Sequence, residues 1–150
     1  MSVAAPPHDQ FRAAVYIPVF VVQKMSDPGY LENSWKDLSS QVGIDKVYIE
    51  TYRSGTTVDD VLLQKVKKFF VGHGVEVAGG IAYVGAGDTA GSDTEDDSEG
   101  QFVSMCYTDP KQREYVRQIA EVTARNFDEI MLDDFFFNNT KRDSDRCSAG

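Results

Sequence analysis

Four short apolar runs, spaced by amphipathic stretches, limit what this chain can fold into. They cover residues 13–22, 46–52, 75–84 and 129–132. The first is nearly continuous, as expected of a strand buried on both faces, although Pro18 removes one ladder hydrogen bond and points to an edge or an irregularity. Between the runs, Trp35 and Leu38 share a helical face over 31–41. Val58, Val61, Leu62, Lys65, Val66, Phe69 and Phe70 form a stripe that ends at Gly72 and Gly74. Asp27-Pro28-Gly29 is a turn signal. Asp109-Pro110 starts a third helix over 110–125, with Tyr115, Ile119, Val122 and Thr123 on one face.

Strand and helix alternating at this spacing imply right-handed crossovers and a parallel sheet. The expected class is α/β, with parallel strands alternating with helices as half of a TIM (β/α)8 barrel or a truncated one. A chain of 150 residues is one domain's worth. We divide it into a disordered tail over 1–12 and a (β/α)4 half-barrel over 13–150, part of a larger catalytic barrel.

Hydrophobic residues make up 41% and charged residues 26%, which suits a globular chain. The net charge is -9, and the stretch 88–99 supplies Asp88, Asp93, Glu95, Asp96, Asp97 and Glu99 without a basic residue. This balance argues against nucleic-acid binding, which needs clustered Lys and Arg. Lys65, Lys67 and Lys68 read as a solvated helix face. No apolar run nears the roughly 20 residues that span a bilayer, so no membrane partner is expected. Met1 to Gln10 lacks the hydrophobic core of a secretory signal. Cys106 and Cys147 define neither a metal site nor a disulfide framework.

Chemistry concentrates where strands end, because ligands gather at the carboxyl ends of parallel strands. The fourth run leads straight into Asp133 and Asp134 and then Phe135, Phe136 and Phe137. Neighbours on a strand point to opposite faces, so both carboxylates cannot enter one apolar layer. Either can act as nucleophile, general base or metal ligand; the plainer alternative is a capped turn and an ion pair. Glu50, Tyr52 and Arg53 close the second strand. Alternation places Glu50 with Tyr52 on one face and Arg53 on the other, a set suited to a sugar, with a rim salt bridge as the alternative. Tyr83, ending the third strand, can stack on a sugar or sit in the core, whereas Tyr16 and Tyr48 read as core. Gln23 and Lys24 end the first strand. His73, at a helix end away from the strand mouths, is not a catalytic candidate. The acidic stretch 85–100 has oxygen ligands without calcium-loop spacing and reads as a solvated loop. Asn138-Asn139-Thr140 matches a glycosylation acceptor.

The chain resembles the amino-terminal half of secreted glycoside hydrolases with (β/α)8 barrels. The resemblance rests on Val47-Tyr48-Ile49-Glu50-Thr51-Tyr52-Arg53, Cys106-Tyr107-Thr108-Asp109-Pro110, and Phe127-Asp128-Glu129-Ile130-Met131-Leu132-Asp133-Asp134-Phe135. In alpha-galactosidase-like families a strand-four aspartate is the nucleophile, which implies that role for Asp133 or Asp134. Chitinase-like families end this strand with a glutamate, where this chain has Phe135. We therefore expect a glycosidase with Asp133 and Asp134 catalytic and Glu50, Tyr52, Arg53 and Tyr83 binding substrate. No metal or cofactor is expected. The partners would be a carbohydrate and a missing carboxy-terminal half that carries the second carboxylate. Two other classes fit the pattern: a non-catalytic carbohydrate-binding half-barrel, and a small open-sheet metal-dependent domain, which lacks the Thr or Ser and Lys landmarks of such folds.

Overall fold

The computed structural model describes residues 11–85, 103–104, 107 and 110–133, with side chains undescribed at 84, 85, 103 and 104. Asp134, the three phenylalanines after it, both cysteines, most of the acidic stretch and the Asn138 motif lie outside the described residues.

The chain orders itself as β1 (Ala14–Ile17), α1 (Val19–Lys24), α2 (Pro28–Gln41), β2 (Lys46–Arg53), β3 (Thr56–Thr57), α3 (Asp60–Gly72), β4 (Glu76–Ile81), β5 (Val84–Gly85), β6 (Val103–Ser104), α4 (Pro110–Asn126) and β7 (Ile130–Leu132). The main sheet runs β1-β2-β4-β7 with every neighbour parallel, and β3 adds to β2 antiparallel. It is an open α/β sheet of parallel strands alternating with helices, consistent with part of a TIM-like barrel. β5 and β6 form a separate antiparallel pair.

The first apolar run divides where the sequence suggested one strand. β1 stops at Ile17, Pro18 adopts φ -60 and ψ 150 as an N-cap, and α1 follows. Proline at a helix boundary sacrifices no helix bond, so a run that is apolar throughout can change conformation there. Gln23 and Lys24 accordingly belong to α1. Asp27-Pro28-Gly29 opens α2: Asp27 Oδ1 accepts from the Gly29 N–H at 2.8 Å and Pro28 occupies the first turn. Asp59 caps α3, accepting from the Leu62 N–H at 2.9 Å, a cap worth about 1 kcal/mol.

One face of the sheet carries the helices. Ile17, Val47 and Ile49 pack there with Leu63, Val66 and Phe70, and a second cluster gathers Tyr52, Ile81, Tyr83 and Ile119. The glycines of β4 mark close approaches on both faces, as the sequence suggested. A Cβ on Gly79 would come within 2.8 Å of Phe127 and Thr123, and one on Gly80 within 2.7 Å of the Tyr16 ring. Lys65 and Lys67 are not merely solvated: they donate to the carbonyls of Ser26 and Asn126.

Candidate functional site

The residues that matter lie on the other face, towards the carboxyl ends of the parallel strands. β2 and β4 pair in register from Lys46 with Glu76 to Glu50 with Gly80, then Tyr52 pairs with Ile81 and Thr51 is the extra residue of a bulge. A bulge inserts one residue and so reverses the alternation beyond it. Thr51 faces the helices, its hydroxyl 2.6 Å from that of Thr123. Tyr52 follows it to the same side, edge-on to Tyr115 with centroids 5.7 Å apart. Arg53 returns to the open face, beside Glu50. The expectation from simple alternation is therefore corrected: Glu50 shares a face with Arg53, and Tyr52 lies opposite.

Glu50 is fully buried and its carboxylate is saturated. Oε1 accepts from the Tyr16 hydroxyl at 2.7 Å, Oε2 from the Val19 N–H at 2.6 Å, and Arg53 donates through Nε at 3.0 and 3.2 Å and through Nη2 at 2.7 Å. Buried charge survives only when so compensated. Burial and the adjacent carboxylate raise the Tyr16 phenol far above its ordinary range. The hydrogen bond to Glu50 raises the Arg53 guanidinium, so the arginine is permanently charged. From its position on β2, Arg53 Nη2 also reaches Asp133 Oδ2 at 3.6 Å. Asp133 directly follows β7, where its N–H donates to the Ile81 carbonyl at 3.0 Å and keeps it in the ladder. Its side chain is 17% exposed. Acid groups from β2 and from the end of β7 thus meet through one arginine across β4, where Gly80 faces the Tyr16 ring on the same side.

The structure unites three sequence-chosen residues, Glu50, Arg53 and Asp133. It separates two others. Tyr52 and Tyr83 are buried in the helix-side cluster, and burial beside Tyr107 pushes the Tyr83 phenol up to about 12. The Tyr52 hydroxyl accepts from the Gly55 N–H at 3.1 Å. Gly55, at φ 76, and Ser54, at φ 50, make the tight turn of a β2–β3 hairpin that the sequence reading missed. The Ser-Gly pair after an apolar strand was the available signal. Tyr16 was read as core. Its offset by one from the buried Ile17 could have placed it on the opposite face. Among the described residues, no group of three or more His, Cys, Asp or Glu side chains is placed to hold a metal ion.

Residues 1–150 match the family described as "Probable glycosyl hydrolase, catalytic domain". The chain belongs to this family. It is also similar to an uncharacterized protein of Saccharolobus solfataricus, at 34% identity over 131 residues, covering 86% of this chain and 21% of that protein. The chain thus spans about a fifth of the length of the curated relative it matches. No solved structure matches it significantly.

Proposed function

We propose that this chain supplies part of the active site of a glycoside hydrolase acting on a poly- or oligosaccharide, with Asp133 as a reacting carboxylate. The observation that carries this reading is the placement of Asp133 at the carboxyl end of β7, partly exposed and 3.6 Å from a guanidinium that favours its ionised form. An ionised carboxylate in that position suits the nucleophile or the general base of glycosidic cleavage. The alpha-galactosidase-like assignment of a strand-four aspartate is compatible with it. Glu50, shut away behind four donors, is not a second reacting acid. That acid would come from further strands of a longer chain closing a (β/α)8 barrel against the exposed edges of β1 and β7. A largely apolar groove of about 240 Å³ along β1, with Val15, Ile17, Leu31, Trp35 and Leu38 in its wall, offers such strands and their helices a packing surface.

The test is Asp133→Asn in the full-length protein, assayed on a panel of aryl glycosides and oligosaccharides. Turnover falls about 10³-fold or more while sugar binding, followed by calorimetry, survives. Unchanged turnover would remove Asp133 from the mechanism, and sugar binding with no turnover in the parent protein would favour a non-catalytic module.

A further inference from the structure

The Glu50–Arg53 pair is built for something other than touching substrate. Glu50 has no exposed surface, and the Nε and Nη2 edge of Arg53 is engaged with it. Such a pair is a poor device for stability alone, since apolar replacements of a buried ion pair often serve equally well. It is a good device for fixing geometry, because a guanidinium held by two parallel bonds cannot rotate. We propose that Glu50 and Arg53 are positioning residues: the buried carboxylate clamps the guanidinium, which in turn fixes the direction and charge of the Asp133 carboxylate at the sheet's rim.

Three further features fit this role. Tyr16 and the Val19 N–H donate to the same two Glu50 oxygens that accept from Arg53, so the clamp is anchored in β1 and α1 as well as β2. Gly80 leaves room for the Tyr16 ring, and a Cβ there would displace it. An extra residue at Thr51 is what returns Arg53 to this face. Arg53 lies directly against Asp133, with Glu50 and Tyr16 behind the guanidinium. Lysine at 53 could pair with one acid but not clamp one while orienting the other.

The catalytic consequence rests on the reading of Asp133 above, but the physical content does not, so the decisive measurement uses no substrate. The Asp133 carboxyl is titrated by carbon NMR in the parent protein, in Arg53→Gln, and in Glu50→Gln/Arg53→Gln, which leaves two neutral amides should the single variant fail to fold. Its midpoint rises by about one pH unit or more without the guanidinium, and by less in the double variant, where a like charge has also gone. In Glu50→Gln alone, the Arg53 Nε proton loses its protection from exchange. On a hydrolysed aryl glycoside, Arg53→Lys lowers kcat more than it raises KM and moves the acid limb of the pH profile. An Asp133 midpoint unmoved in whichever arginine variant folds, or an Arg53 Nε proton equally protected without the Glu50 charge, overturns the proposal. Either result leaves the glycosidase reading standing.

Discussion

The open face of the sheet carries the same chemical trio twice, once at each end, and the two copies differ in burial. At the carboxyl end Glu50 accepts from a tyrosine, Tyr16, and pairs with Arg53. At the amino end Glu129 accepts from a tyrosine, Tyr48, at 3.1 Å and pairs with Lys46. The Glu50 side chain is wholly buried and that of Glu129 is 56% exposed. Water competes for every bond of the outer trio, and exposed pairs of this kind contribute little to stability. The acid of the inner trio has lost its water and depends on its partners. The lesson is that a buried acid held by arginine's fork makes a fixed geometric element of a cation, an acid and a phenol, where an exposed acid held by a lysine does not.

Breaking the inner trio at its cation has the largest expected effect. Arg53→Gln leaves Glu50 buried without a counter-charge and costs about 3 kcal/mol, the low end for such pairs because the arginine is itself partly exposed; urea denaturation reads it. An equal denaturation midpoint for Arg53→Gln and Lys46→Gln would abolish the contrast. Next, Gly80→Ala drives a methyl into the Tyr16 ring and costs about 2 kcal/mol, with the Tyr16 ring resonances displaced in NMR spectra. Tyr16→Phe removes one donor to a buried carboxylate and costs about 1.5 kcal/mol.

Alkaline pH sharpens the same comparison. The Tyr16, Tyr52 and Tyr83 phenols are raised, mainly by burial. A raised folded value means that their contribution is complete below the ordinary tyrosine range near 10 and is lost as pH climbs from there through the raised folded values. Thermal stability should therefore decline above about pH 10, and less steeply in Tyr16→Phe. The smallest effect belongs to the outer trio. Hydrogen bonding to Lys46 and then Tyr48 lowers the Glu129 carboxyl, so its contribution is present above the ordinary glutamate value and fades as pH falls through the lowered one. Glu129→Gln should leave the denaturation midpoint at neutral pH unchanged within error, and whatever difference it makes should shrink further in salt.

Periodicity and capping chemistry made the fold legible. The strands at 46–53 and 76–81 and the helices from 60 and 110 fall close to where Val/Ile/Tyr runs, the stripe from Val58 to Phe70 and Pro110 put them, because those signals act within a few residues. Pro18 was visible, yet its reading as a flaw in a strand missed the helix it begins. Asp133, Glu50 and Arg53 were legible as strand-end polar residues. Their grouping was not, since nothing in Glu50-Thr51-Tyr52-Arg53 announces an extra residue in the ladder.

By itself, then, the sequence determined the alternation of the main strands and helices, the parallel class and the delivery of acids to strand ends, because each follows from local spacing and burial pattern. Only the tertiary structure decided which side chains share a face. That choice depends on the register between β2 and β4, on room above Gly80 and on the neighbours that compensate a buried carboxylate, all of them contacts between residues distant along the chain.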